Sequence, residues 1–314
     1  MTDAPVVIAG RSNKTLAQGI ALRIGVEITK CDISDFSDGE IFCQILENVR
    51  GSDVFIVQSS SPPVNDNLME LLIVIDAVKR ASARRITAVV PYYGYARQDR
   101  KVQSRTPITA RLVADLICTA GVDRALIMDL HAGQIQGFFN VPVDHLYGAP
   151  LLVERIAQEK FDDLMIVSPD AGGVERARAY AKGLDSGLGI IDKRREGKNI
   201  AKVMNIIGDV KGKNVVIVDD MVDTAGTLAE ASQAIMEEGA KSVHACCTHA
   251  VLSGKAIERI NNSVLTKLYC TNTINADKKK KECPKLDVLD VAPIFGEAIT
   301  RIHSGRSVSS LFQY

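Results

Sequence analysis

Asp219 and Asp220 stand side by side after four apolar residues, Val215-Val216-Ile217-Val218, and are followed by Asp223-Thr224-Ala225-Gly226-Thr227. The β-branched run reads as a buried strand. The small-residue turn opens a helix-compatible stretch, Leu228–Glu238. Backbone amides and the positive end of a helix dipole favour a phosphate at such a junction. Carboxylates would repel that phosphate unless they serve sugar hydroxyls or a divalent cation. A metal-bound sugar phosphate is the ligand this spacing describes. Singly, Asp and Thr cap ordinary helices and Gly makes ordinary turns, so the run as a whole carries the argument.

Other segments carry complementary chemistry. Phe36-Ser37-Asp38-Gly39-Glu40 sets an aromatic face beside two acceptors, which suits a purine with an exocyclic amine. Between Pro91 and Lys101 lie Tyr92, Tyr93 and Tyr95 with Arg97, Gln98 and Arg100, and the cations suit polyphosphate. His131 ends an apolar strand, Ala125–Leu130, where α/β proteins place ligands. Asp170 follows Leu164–Ser168 and precedes Gly172-Gly173, a pair that permits close backbone approach to a pyrophosphate. Asp170 suits magnesium, a hard cation, and His131 suits it less. Lys193-Arg194-Arg195 and Lys198 flank Glu196-Gly197 in a polar run that reads as a mobile cationic loop. Such cations stabilise charge developing on transferred phosphoryl oxygens.

These residues need strands to position them. Val6–Ala9, Val54–Gln58, Ile86–Pro91, Ala125–Leu130, Leu164–Ser168, Val215–Asp219, Ser242–Cys247 and Lys267–Cys270 are the clearest candidates. Helical patterns at Asp66–Ala81, Pro107–Ala120 and Thr227–Glu238 alternate with them. That order predicts an α/β fold with mostly parallel sheets. The strand–helix–strand unit starting at Val54 has the length of the one starting at Val215, which points to two related domains. Gly148 and Pro150 interrupt the pattern, so the division is drawn at 1–147 and 148–314.

The 314-residue length fits two domains, and 46% hydrophobic content suffices for their cores. Lys+Arg equals Asp+Glu at 38 each, which removes any global field for nucleic acid or anionic membrane. The Lys278–Lys281 run reads as a solvated loop. No apolar run approaches a membrane span, and the first residues lack the basic region of an export signal. Seven cysteines without a Cys-x-x-Cys pair fit a reduced cytoplasm rather than a disulfide framework.

The Asp219–Thr227 run resembles the 5-phosphoribosyl diphosphate loop of type I phosphoribosyltransferases and ribose-phosphate diphosphokinases. The Phe-Ser-Asp-Gly-Glu loop, Tyr-Ala-Arg-Gln-Asp at Tyr95–Asp99, Asp-Leu-His-Ala-x-Gln-Ile-Gln-Gly-Phe-Phe at Asp129–Phe139, Ser-Pro-Asp-x-Gly-Gly at Ser168–Gly173 and the Lys-Arg-Arg loop resemble the second family, class I type, from about Val6 to Phe312.

That resemblance implies two phosphoribosyltransferase-like domains and diphosphoryl transfer from ATP to the 1-hydroxyl of ribose 5-phosphate, with Mg2+ as cofactor. It implies that Phe36, Asp38, Gly39, Glu40, Arg97 and Gln98 bind ATP. His131 and Asp170 match magnesium positions, and Lys193 and Arg195 match the catalytic cations. Asp219, Asp220, Asp223, Thr224, Ala225, Gly226 and Thr227, with Arg195, face ribose 5-phosphate. A homo-oligomer, a hexamer by resemblance, is implied, with the Asp38–Glu40 loop reaching a neighbouring subunit's site. Arg50, Ser307 and Ser309 match a regulatory anion site, in which Asn48 replaces a usual Ser and Ser310 a usual Tyr. Glu196-Gly197 stands where relatives carry Pro-Arg. A phosphoribosyltransferase would leave the first half unused. A non-catalytic regulatory homologue would typically have lost the Lys193 loop, which is intact here.

Overall fold

The structure, a computed structural model, describes residues 4–194 and 203–311. Arg195 and Glu196-Gly197 lie outside the described residues, and Lys193 is described only through its backbone. The chain forms two compact units.

In chain order the first unit contains β1 (Val6–Ala9), α1 (Lys14–Ile24), β2 (Cys31–Asp35), β3 (Ile41–Ile45), β4 (Asp53–Val57), α2 (Val64–Arg80), β5 (Arg85–Val90), α3 (Thr109–Ala120), β6 (Arg124–Met128) and β7 (Val143–Leu146). Five strands make a parallel sheet ordered β1-β4-β5-β6-β7, while β2 and β3 pair as an antiparallel hairpin. The central strands are continuous apolar runs because helices cover a parallel sheet on its faces. Alternate residues Ile8, Val54, Ile56, Ala88, Val90 and Ile127 share one core with Leu71, Ile75 and Val78 of α2 and Val113 and Ile117 of α3. The Asn13 side chain caps α1 by accepting from the Leu16 amide at 3.2 Å, and Gly25 ends it at φ 77°.

The second unit contains α4 (Ala149–Ala157), β8 (Leu164–Ser168), α5 (Val174–Gly183), β9 (Gly187–Arg194), β10 (Val203–Ile207), β11 (Asn214–Val222), α6 (Gly226–Glu237), β12 (Ser242–Ala250), α7 (Ala256–Asn262), β13 (Leu268–Thr271), α8 (Asp277–Glu282) and β14 (Leu286–Leu289). Its sheet is ordered β10-β9-β8-β11-β12-β13-β14, with only β10 antiparallel. Val215, Ile217, Ala245 and Cys247 face one core with α6, and Val216, Val218 and Cys246 face another with α4 and α5. The adjacent cysteines therefore fill opposite faces.

The strand orders repeat. β1-β4-β5-β6-β7 corresponds to β8-β11-β12-β13-β14, and each unit inserts a hairpin after its first strand, β2–β3 or β9–β10. Each unit is thus an α/β layer with a mainly parallel sheet, and the two share one connectivity.

Two expectations are corrected. Among the described residues, those from Asp290 to Leu311, with Thr273–Asn275, belong to the first unit rather than the second. The reason is α9 (Ala292–His303), whose buried face meets α1: a Cβ on Gly19 would lie 2.9 Å from Ala292 Cβ. The Asp53 carboxylate, fully buried, also accepts from Arg85 Nε at 2.8 Å and sits 2.8 Å from His303 Nδ1. The lysine run is solvated as expected at Lys278, Lys280 and Lys281, but it is a helix rather than a loop. It forms α8, and Lys279 donates to the Val251 carbonyl. No helix among the described residues is long and apolar enough to cross a membrane.

Candidate active site

In the second unit the carboxyl ends of the parallel strands β8, β9 and β11 lie at the same edge of the sheet. This is where open α/β sheets bind ligands. Asp219 and Asp220 lie within β11, one residue pair from its end. The Asp220 amide donates to Asp219 Oδ1 at 2.9 Å, Asp220 is buried, and Asp219 keeps 38% of its side chain exposed. Arg176, on α5, places Nη1 3.4 Å from Asp219 Oδ1 and 3.3 Å from Asp220 Oδ1. Burial first, and the Asp220 carboxylate second, push the Asp219 carboxyl above its ordinary range, and Arg176 opposes both. The Asp219–Asp220 pair beside Arg176 offers carboxylate oxygens at the edge of the sheet. It is suited to receive a cation or hydroxyl protons.

The Asp223–Thr227 turn leads into α6 without a side-chain cap, an arrangement that suits an anion. Ala225 adopts a left-handed conformation, φ 58° and ψ 8°, immediately before α6, and has no side chain to accept from the first amides of that helix. Thr224 and Thr227 are exposed on either side. The turn is braced from behind. Ser253 N donates to the Asp223 carbonyl at 3.0 Å, Ser253 Oγ donates to its carboxylate, and Arg259 Nη1 donates to the Thr224 carbonyl at 2.8 Å. The Asp223 carboxylate thus shapes the loop while backbone and hydroxyls face outward.

Asp170 follows β8. Its Oδ1 accepts from the Gly173 amide at 3.0 Å, while Ser168 Oγ donates to its carbonyl at 2.7 Å. Gly173 is required, since a Cβ there would lie 2.8 Å from Ser168 Oγ. One oxygen of Asp170 serves the turn, and the residue is exposed. Lys193 lies at the far end of β9, paired through its backbone with Met204 of β10. Among the described residues no three His, Cys, Asp or Glu side chains converge as a metal cage. The donors present fit magnesium, which is commonly held by one or two carboxylates plus substrate phosphates.

In the first unit the corresponding edge carries the nucleotide candidates. Phe36–Glu40 is the tip of the β2–β3 hairpin. Phe36 N donates to the Glu40 carbonyl at 2.8 Å, Gly39 N donates to the Phe36 carbonyl at 2.9 Å, and Gly39 has φ 92°. Phe36 is 55% exposed and meets Phe42 edge-on at 5.8 Å. Arg97 and Gln98 sit on the loop after β5, both exposed. That loop presses on Ser60, whose hydroxyl accepts from the Gly94 amide at 2.7 Å. It is tied to the loop after β6 by Gln134 Nε2 donating to Asp99 at 2.8 Å. His131 opens that second loop and is exposed.

Of the three tyrosines near Arg97, two are structural. Tyr92 is buried, and Tyr93 donates to the Ala110 carbonyl at 2.8 Å and packs on Phe139. Sequence reasoning missed Arg176, because an arginine in the first turn of a helix carries no motif. It also missed His145, buried, whose Nε2 accepts from the Leu130 amide at 2.9 Å beside His131. Arg50 and Asn48 share a turn, with Arg50 N donating to Asn48 Oδ1 at 3.1 Å. Ser307 and Ser309 hydroxyls are 3.0 Å apart, and Arg301 donates to the Ser307 carbonyl and the Ser310 hydroxyl.

Residues 5–121 match the N-terminal domain of ribose phosphate pyrophosphokinase, and residues 194–313 match the phosphoribosyl synthetase-associated domain. The chain is 57% identical over 309 residues to a ribose-phosphate pyrophosphokinase of Clostridium tetani, covering 98% of this chain and 96% of that one. It is 55% identical to that of Bacillus caldolyticus, covering 98% and 97%. The crystal structure of phosphoribosylpyrophosphate synthetase from Mycobacterium smegmatis superposes with a TM-score of 0.91 at 43% identity, covering 96% of this chain and 99% of that one. Likeness of this extent, spanning both units and both ends of the chain, makes it a member of the ribose-phosphate pyrophosphokinase family.

Proposed function

We propose that the two edges described above carry out the family's reaction with the residues named from the sequence. The enzyme transfers the diphosphoryl group of ATP to the 1-hydroxyl of ribose 5-phosphate. The sugar oxygen forms a bond to the β-phosphorus, the bond from that phosphorus to the α,β-bridging oxygen breaks, and AMP leaves with that oxygen. The product is 5-phosphoribosyl 1-diphosphate, a precursor for nucleotide biosynthesis, and the proton of the 1-hydroxyl passes to solvent.

The observation that carries the assignment is the start of α6, a left-handed Ala225 turn between two exposed threonines, set beside the Asp219–Asp220 pair. The amides and hydroxyls of Thr224–Thr227 bind the 5-phosphate, and Asp219 and Asp220 orient the ribose hydroxyls. Phe36 stacks on adenine, with Asp38, Gly39, Glu40, Arg97 and Gln98 completing the nucleotide's contacts. His131 and Asp170 would each help to hold magnesium, which when bound would supply charge neutralisation at the phosphate oxygens. Lys193 and Arg195 supply positive charge to the same oxygens, which is transition-state stabilisation rather than base catalysis. The enzyme works in the cytoplasm as a homo-oligomer whose Asp38–Glu40 loop serves a neighbouring site. Arg50, Ser307 and Ser309 bind a regulatory anion.

Turnover of ATP labelled at the β-phosphorus, with and without ribose 5-phosphate, is the test. AMP is expected only when the sugar is present, with the label in an acid-labile sugar diphosphate. Release of ADP in place of AMP would identify an ordinary phosphoryl kinase and sink the reading.

A further inference from the structure

The hairpin that presents Phe36 is anchored unevenly. Its base joins the first unit through an isolated bridge between Val7 and Ile28, and Thr29 N donates to the Val7 carbonyl at 2.8 Å. Cys31, Ile33, Cys43 and Ile45 pack on the core of that unit. Towards the tip this apolar support ends. Among the described residues β2 and β3 pair only with each other. A different contact takes over at Asp35, the last strand residue before the turn. Arg11 Nη1 and Nη2 donate to its two carboxylate oxygens at 2.8 and 2.7 Å.

Arg11 is itself held from the other side. Its Nε donates to Glu70 Oε2 at 2.5 Å, and its amide donates to Glu70 Oε1 at 2.6 Å. Glu70 lies on α2 with 1% of its side chain exposed, and also accepts from Gln58 Nε2 at 2.9 Å. The chain approaches Gln58 so closely at Gly10 that a Cβ there would lie 2.2 Å from Gln58 Oε1, which fixes where Arg11 begins. One guanidinium thus joins a buried carboxylate in the rigid body to an exposed carboxylate at the hairpin tip. A planar fork holding Asp35 with two parallel hydrogen bonds sets direction as well as distance.

We propose that the Glu70–Arg11–Asp35 relay positions the Phe36–Glu40 hairpin tip for the adenine of ATP, making Arg11 and Asp35 positioning residues for nucleotide recognition. Asp35 touches no reacting atom in this account. It acts by aiming Phe36, the next residue. The inference rests on the reading of Phe36 as the adenine platform.

Asp35→Asn is the informative variant, because Asp35 is half-exposed and its loss leaves Glu70 still paired with Arg11. A carboxylate acting only through its charge would repel ATP, so its neutralisation would lower KM for ATP. A positioning carboxylate gives the opposite sign. The expected result is a rise in KM for ATP of roughly three- to ten-fold, with kcat and KM for ribose 5-phosphate within about two-fold of wild type. Asp35→Glu is expected to recover most of the loss. Hydrogen exchange, independent of turnover, is expected to show the Phe36 and Gly39 amides exchanging roughly ten-fold faster in Asp35→Asn. Unchanged exchange overturns the clamp whatever the kinetics. A normal or lowered KM for ATP in Asp35→Asn, beside a raised one in Phe36→Ala, overturns the positioning role. An unchanged KM in Phe36→Ala as well as Asp35→Asn overturns the adenine reading, and the positioning role with it.

Discussion

Asp219 shows how a carboxyl crowded by burial and a neighbouring carboxylate costs stability. A carboxyl whose folded pKa is raised favours unfolding once the pH passes its unfolded value, near 3.8, and the penalty grows until the pH passes the folded one. At neutral pH, Asp219→Asn removes this penalty, while the amide oxygen can still accept from the Asp220 amide. Ligand-free Asp219→Asn is therefore expected to melt about 1–3 °C higher than wild type. Its affinity for ribose 5-phosphate should fall by at least about ten-fold while that for ATP holds within a few-fold. Calorimetry with each ligand and a melting scan decide, and equal losses for both ligands would indicate general damage. His244 gives a second case. Burial pushes it down to about 4, against Glu159, which favours its charge, and with Lys267, which does not. Its ring lies 4.8 Å from Phe161 and stacks on Tyr269 at 6.0 Å. Between about pH 4 and 6.5 the unfolded chain binds a proton that the folded chain refuses. Stability therefore falls with falling pH there, by up to about 1.4 kcal/mol per pH unit for this group. His244→Gln should flatten that part of the stability profile, and an unchanged slope would remove His244 as its source.

At the scale of elements, the β11–α6 junction is the part most sensitive to backbone geometry. Ala225 is buried and left-handed, a conformation that β-branched residues rarely tolerate. Ala225→Val is expected to reshape the turn, raising KM for ribose 5-phosphate by about ten-fold or more and lowering stability by roughly 1–3 kcal/mol. Ala225→Gly should keep both close to wild type, and equal behaviour of the two variants would show that the conformation is incidental. This junction was legible in the sequence because an apolar run, an acidic pair and a small-residue turn each signal their own structure. β1 and β8 were readable to the residue, and the other anticipated strands to within a few residues, for the same reason. The β2–β3 hairpin was not read as strands. Cys31–Asp35 and Ile41–Ile45 mix charge with apolar residues, since much of the hairpin is solvent-facing. α5 was missed because its sequence is dominated by Glu, Arg and Ala, with Ala177, Tyr180 and Ala181 alone buried. Arg176 went with it. Its contact with the Asp pair could only be found once the helix was placed.

At the scale of the whole molecule, the chain's order is not its architecture. Nothing local marks Asp290 as a return point, because α9 is an ordinary amphipathic helix and its partner α1 lies nearly the whole chain away. The return is locked by Asp53, a fully buried carboxylate that Arg85 and His303 share, with Arg85 also donating to the Ile302 carbonyl at 3.0 Å. Arg50 lies three residues before Asp53, and Ser307 four residues after His303, so both halves of the proposed anion site leave from this one junction. His303→Ala leaves a buried charge with one partner fewer, a loss of about 1.5–3 kcal/mol for a charged hydrogen bond. The first unit should then melt about 5 °C lower. Hydrogen exchange should quicken in β4, β5 and α9 and stay unchanged in β11 and β12. Activation by inorganic phosphate should weaken while KM for ribose 5-phosphate holds. The variant separates two architectures: if α9 served the second unit, exchange would quicken in β11 and β12 instead, and the junction would have no bearing on phosphate.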